Sequence, residues 1–245
     1  LIGFTVLSTL APARRPILRE DWGGVFWVAV LWMAFPLSMF PLAEQHISSA
    51  LAGMLNGANP LFVVIVSALM AKRLPARPVA LGLLVGMTGA VMIAWPGLGA
   101  GGRSAFGVGL VVEALVSYGV ALNLARPLQL RNGGLPVVWR ALGISVLLTA
   151  PLGAPELMHA RFTWRVFFCM LALGGFGTAI AQVFMAKAAG LFGAPTASGT
   201  TFLTPVVALL LGVIVRGEKV ALVSALGCFV CLLGAWLISR PDAPG

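Results

Sequence analysis

Asn56-Gly57-Ala58-Asn59-Pro60-Leu61-Phe62 interrupts a long apolar run with two amides, a glycine and a proline. Proline has no N–H, and its ring presses on the carbonyl four residues back, here that of Asn56. In hydrocarbon an unpaired backbone carbonyl costs several kcal/mol, so irregular backbone at membrane depth persists only where protein or water covers it. If the surrounding runs lie in a bilayer, the stretch predicts a broken helix beside a cavity.

The composition puts them there. Of 245 residues, 60% are hydrophobic and only 9% charged, and the mean hydropathy is +1.01. A soluble domain carries roughly a quarter charged residues, so a water-exposed surface cannot be built from this chain. The net charge of +9 comes from Lys and Arg scattered in short clusters between apolar runs. That is the pattern of loops flanking membrane spans, and it excludes nucleic acid as a partner.

The chain reads as an all-α integral membrane protein. Eight complete spans lie at roughly 24–43, 48–71, 78–96, 106–124, 136–155, 166–186, 193–215 and 220–239. The connections fall at Ala13 to Asp21, Lys72 to Pro78, Pro96 to Ser104, Arg126 to Pro136, Glu156 to Arg165 and Arg216 to Lys219. Residues 1–11 are apolar, too short to span, and have no basic segment before them, so they read as the tail of a ninth, partial span. Counting Lys and Arg on alternate sides gives eleven against five. The richer side, which includes the C-terminus, is predicted to be cytoplasmic.

Sliding the chain by 145 residues superposes Pro60 on Pro205, Ala76 on Ala221 and Ala80-Leu81-Gly82 on Ala225-Leu226-Gly227. It also matches Val85 to Val230, Gly89-Ala90 to Gly234-Ala235, Ile93 to Ile238 and Pro96 to Pro241. The span of 48–71 and its counterpart at 193–215 are five spans apart, an odd number. The halves, 1–97 and 98–245, are therefore predicted to enter the membrane in opposite directions, an inverted repeat. Leu1 falls on Val146, so a five-plus-five bundle would need the equivalent of roughly residues 101–145 before it. The chain as given would lack the first span of ten.

The repeat pairs Asn56-x-x-Asn59-Pro60 with Thr201-x-x-Thr204-Pro205. Interrupted helices at equivalent positions of two inverted halves point to a midplane binding site. Asn56, Asn59, Thr200, Thr201 and Thr204 are the expected substrate-binding residues, with Glu113, Tyr118 and Gln182 as further members. The plainer alternative is a pair of kinked packing helices whose Asn and Thr bond to neighbours. Glu113 is the one acidic residue deep in a full span and is expected to face the bundle interior or to sit neutral, with Ser117 one turn on as its local partner. It reads either as a protonatable group of the pathway or as a structural hydrogen-bonding carboxyl.

No Asp or His lies within a span, so the nucleophile–base and paired-Asp constellations of intramembrane hydrolases are missing. Cys228-x-x-Cys231 has no further ligands near it and reads as two small packing residues rather than a metal site. Gly99-Ala100-Gly101-Gly102 lacks the Lys-Ser/Thr of a phosphate loop. No catalytic residue, metal or cofactor is expected. Gly82, Gly86 and Gly89 match the small residues Gly227, Cys231 and Gly234, which allow close helix approach within one chain or between two copies. A homodimer stays open on that ground. The functional classes are then a carrier, a non-transporting membrane scaffold and an intramembrane enzyme, of which the first accounts for the broken pair.

Ile47 to Phe62, with its Asn-Gly-Ala-Asn-Pro core, resembles the fourth span of EamA-type carriers of the drug/metabolite transporter superfamily. Val79 to Pro96 resembles the span closing their first repeat, and Thr200 to Pro241, with Gly217-Glu218-Lys219, the matching part of the second. Asp21-Trp22-Gly23 also fits. The resemblance implies a ten-span inner-membrane carrier with both termini in the cytoplasm, exporting amino acids, other metabolites or toxic compounds. The chain departs from the family where Lys72-Arg73-Leu74 replaces a Gly-Glu-Arg-like turn, and at Glu113.

Overall fold

A backbone that crosses hydrocarbon must satisfy its own hydrogen bonds, and all the regular structure described here is helical. The computed structural model describes residues 2–99, 101–159, 163–180 and 203–239. The helices are α1 (Ile2–Ser8), α2 (Arg19–Ala43), α3 (Ser49–Asn56), α4 (Asn59–Ala71), α5 (Arg77–Gly99), α6 (Gly102–Asn132), α7 (Gly134–His159), α8 (Trp164–Leu171), α9 (Leu203–Arg216) and α10 (Leu222–Ser239). Four stretches are long and apolar enough to cross a membrane: Arg19–Ala43, Arg77–Gly99, Gly102–Asn132 and Gly134–Pro151. α3 and α4 together form a fifth, broken one, while α8, α9 and α10 are shorter apolar helices among the described residues.

Two helices depart from α geometry for identifiable reasons. α2 passes through a π stretch, Ala29–Ala34, immediately before Pro36, whose missing N–H cannot continue the ladder. The Phe35 N–H reaches back five residues to the Val30 carbonyl. α8 continues as π-helix over Ala172–Ile180, which contains three glycines.

Three of the expected loops are shorter than the sequence suggested. α6 runs through Pro127 to Asn132, leaving Gly133 alone, at φ +87°, as the turn into α7. α5 extends to Gly99, and α7 continues to His159. Beyond the hydrocarbon, water can satisfy a carbonyl that a proline frees, so charge and proline mark the end of the span and not of the helix.

Clustering of contacts divides the chain into two units, Leu1–Phe35 with Ala121–Ala197 and Pro36–Val120 with Ser198–Gly245. Each takes segments from both predicted repeats. In the first, Leu7, Val25, Val28, Leu128 and Val137 form the core. Phe4 stacks on Trp139 at 5.4 Å. The buried Asp21 holds Arg131 and accepts from Asn132 Nδ2 at 2.6 Å, while Asn132 Oδ1 accepts from the Leu18 N–H at 3.0 Å. That network explains Asp21-Trp22-Gly23: it clamps the entry of α2 to the exit of α6. Arg140, one turn inside α7, reaches the Ala13 carbonyl at 3.3 Å and lies over Trp139 and Trp22.

In the second unit α5 and α10 pack along their length, and the register shows why. Gly82 lies against Gly234, Gly86 against Gly234, Gly89 against Cys231 and Gly227, and Gly227 against Ile93. Rising numbers on one helix meet falling numbers on the other, so the pair is antiparallel. The small residues let the backbones touch; a Cβ at Gly227 would sit 2.8 Å from the Gly89 carbonyl oxygen and from the Ile93 nitrogen. Ser224 Oγ closes the seam by donating to the Ile93 carbonyl at 3.0 Å. The glycine triplets thus face each other within one chain. α3 and α9 are likewise antiparallel, with Ala50 on Gly212, Gly53 on Ala208 and Gly57 on Pro205.

Candidate functional site

The break between α3 and α4 falls on the sequence that predicted it. Gly57 and Ala58 donate to the Met54 and Leu55 carbonyls at 3.0 and 2.9 Å, three residues back, which tightens the end of α3. α4 then starts afresh at Asn59, with Pro60 in its first turn, where a missing N–H removes nothing. The two helices meet at 42°. Asn56 closes one and Asn59 opens the other, and the side-chain amide oxygens of both are buried with no hydrogen-bond partner among the described residues. A buried acceptor left unmade costs about 1–3 kcal/mol. Two of them three residues apart are a feature that packing alone gives no reason to keep.

Pro205, the counterpart of Pro60, is buried against Gly57, where an added Cβ would meet its ring at 2.7 Å. The first break therefore touches α9 at Pro205 through Gly57. Thr204, one residue earlier on α9, is exposed. Tyr118 is half-buried against the core that contains Leu55 and Leu61, with its ring 6.2 Å from Phe40. Glu113 is exposed, with Val112 and Val116 beside it on α6, and Ser117 is buried. Gln182, Thr200 and Thr201 lie outside the described residues. Gly57, between Asn56 and Asn59, is thus brought against Pro205.

The sequence did not disclose what Glu218 does. Its carboxylate, 13% exposed, accepts from Ser49 Oγ at 2.6 Å, from the Ala50 N–H at 2.8 Å and from the Ser49 N–H at 3.3 Å, and pairs with Arg216 Nε at 3.2 Å. Ser48 caps the same helix start by accepting from the Leu51 N–H. A carboxylate on the free N–H groups of a helix N-terminus is favoured by hydrogen bonding and by the helix dipole. Glu218 therefore fastens the α9–α10 turn to the start of the helix that ends in Asn56. Ser49 and its acid partner are 169 residues apart in the sequence.

Burial raises the Glu218 carboxyl, but the bonds from Ser49 and Ala50 and the Arg216 charge outweigh it and hold it below its ordinary value of 4.5. A depressed carboxylate stabilises fully above its unfolded value, and the contribution is lost as pH falls through the folded one. Glu218→Ala is expected to lower stability by about 2 kcal/mol near neutral pH. Thermal melting of the purified protein should also show a weaker fall below pH 4.5 than the native chain gives. Identical melting curves across that range would remove the clamp.

Residues 105–240 match the model of the EamA-like transporter family. A protein of Archaeoglobus fulgidus described as an uncharacterized transporter is 23% identical over 203 residues, 81% of this chain and 71% of its own length. A protein of Streptantibioticus cattleyicolor described as a probable terminal-alkyne amino-acid exporter is 27% identical over 202 residues, 80% of this chain and 66% of its own length.

Proposed function

The chain belongs to the EamA-like transporter family, and on that premise we propose that it is a secondary carrier exporting small amphipathic metabolites, amino acids among them, by alternating access. It is a membrane transporter of the drug/metabolite transporter superfamily. The observation that carries the proposal is the break at Asn56–Pro60, where two buried amide oxygens have no hydrogen-bond partner among the described residues and Gly57 packs on Pro205 of α9. A site with few polar groups in an apolar wall suits a small substrate with one or two hydrogen-bonding groups. The S. cattleyicolor relative's description supports amino acids as the class to test first.

The inverted repeat, 1–97 and 98–245, belongs to this proposal, and several features support it. Under the shift of 145 residues α9 falls on α4 and α10 on α5. The same shift exchanges the Gly86–Gly234 contact with Gly89–Cys231, as a two-fold axis requires. Both equivalent turns open with a left-handed residue, Lys72 at φ +50° and Gly217 at φ +65°. Gly82, Gly86 and Gly89 are used up in this internal seam, so a homodimer would need another face.

The chain is proposed to lie in the bacterial inner membrane with its C-terminus in the cytoplasm. Reporters inserted at 73–76 and fused after Gly245 should read cytoplasmic, and one inserted after Glu218 external; the reverse pattern would overturn the orientation. For the activity, everted vesicles carrying the chain should accumulate at least one labelled neutral amino acid or amphipathic amine above vesicles without it. No difference across such a panel would sink the carrier reading.

A further inference from the structure

We propose that the turn between α4 and α5 is a binding site for an anionic phospholipid. Lys72, Arg73 and Arg77 would hold the headgroup phosphate, and the groove between the two helices an acyl chain.

The cleft is built from both helices and the turn. Ile65, Ala68 and Leu69 of α4 and Leu83 of α5 wall an apolar trough of about 420 Å³, and Lys72 and Arg73 stand at its mouth. Its rim is apolar and uncovered: Leu69 is 70% exposed and Leu74 96%. Lys72, Arg73 and Arg77 are exposed, and none of them makes an ion pair among the described residues. No Asp or Glu occurs in the sequence between Glu44 and Glu113, so three positive charges within six positions have no acid on α4, the turn or α5 to neutralise them. An apolar trough capped by uncompensated cations at a helix end has the charge and polarity of a phospholipid turned inside out. Arg adds two parallel donors matched to phosphate oxygens, and Lys a point charge.

The other half of the molecule makes the same turn with an acid between its two cations, Arg216 and Lys219. There the left-handed position is glycine, which occupies it without strain, and the next residue is Glu218, which neutralises Arg216 at 3.2 Å. In the first half a lysine occupies the left-handed position at φ +50°, a conformation that strains an L-residue. Strain tolerated where the counterpart avoids it points to a use for the side chain. Zwitterionic lipids carry the same phosphate, but their own ammonium competes for it, so the site should prefer phosphatidylglycerol to phosphatidylcholine. The site needs only that the chain lies in a bilayer, and it would stand if transport failed.

The test is lipid retention. The protein is reconstituted in vesicles of equal parts phosphatidylglycerol and phosphatidylcholine with identical acyl chains, extracted, and its bound lipid counted by native mass spectrometry. The native chain should keep phosphatidylglycerol with roughly tenfold preference. Lys72→Gly and Arg73→Gln should each lower that preference severalfold, and with Arg77→Gln abolish it. Lys72→Gly is the safe variant, because Gly217 makes the same turn; it should melt no lower than the native chain in phosphatidylcholine alone. Arg103→Gln with Arg126→Gln, which removes two positive charges outside the turn and so more than either single variant, should leave the preference intact. Equal retention of both lipids, or an equal loss in the Arg103/Arg126 control, overturns the site. Displacement of phosphatidylglycerol by millimolar inorganic phosphate would make it a soluble-anion site and overturn the lipid assignment.

Discussion

Gly89→Val is expected to unfold the α5–α10 pair, with a loss of roughly 3 kcal/mol or more and little monodisperse protein after extraction. The first atoms that a Cβ at Gly89 would meet are the backbone nitrogen and Cα of Cys231, with the Gly227 carbonyl oxygen at 2.6 Å. Backbone cannot swing aside as a side chain can, so the helices must separate. Separation would also break the buried Ser224–Ile93 bond and open the core around Ile93, Cys228 and Cys231. Gly234→Val should behave alike, since its Cβ would meet the backbone of Gly86. Gly86→Ala should be milder: its nearest atoms belong to the Leu61 side chain, which has room to change rotamer. Gly109, with nothing within 4 Å, provides the control; Gly109→Ala should melt at or slightly above the native temperature. If Gly89→Val melts with Gly109→Ala, the seam is not the closest contact of the fold.

How much of this the sequence disclosed follows from how each feature is encoded. The long spans could be read because hydrophobicity is summed over some twenty residues, and the break at Asn56–Pro60 because proline and glycine act on their own immediate backbone. Helix ends resisted, since a helix leaving hydrocarbon does not have to stop: α6 carries Arg126 and Pro127 to Asn132 because Arg131 and Asn132 find Asp21 there. The π stretch of α2 was missed for a related reason; Pro36 announces a lost bond but not how the preceding turn absorbs it. Glu218 lay hidden because its partners, Ser49 and Ala50, are joined to it only by the tertiary fold. Glu113 was read from the cost of a charge in lipid, a rule that names the residue but not its neighbours; Val112 and Val116 are exposed with it, and Ser117 is buried.

Asn59→Leu is expected to reduce transport at least tenfold while leaving the protein as stable as the native chain, or more so. The two halves of that expectation come from one fact, the buried Asn59 amide oxygen, which has no hydrogen-bond partner among the described residues. An amide that served the fold would be hydrogen-bonded, and replacing it would destabilise. One that waits for a ligand burdens the empty protein, and an apolar residue of similar size relieves the burden. A hydrogen bond to a charged substrate group is worth about 1.5–3 kcal/mol, which corresponds to roughly 10–150-fold in affinity. Asn56→Leu should follow the same rule. Thr204→Val, a change of one hydroxyl at an exposed position beside Pro205, should lower transport less and leave melting unchanged. Transport is measured in the everted vesicles against the amount of protein in the membrane, and stability by melting of the purified chain. Glu113→Gln provides a separate arm: where a proton gradient drives transport through that carboxyl, the variant should lose the dependence and keep the binding. Loss of stability in Asn59→Leu, with transport falling only as the protein does, would return both asparagines to the packing of a kinked helix. A tenfold loss of transport in a protein that melts at the native temperature or above would place the Asn59 amide at the substrate.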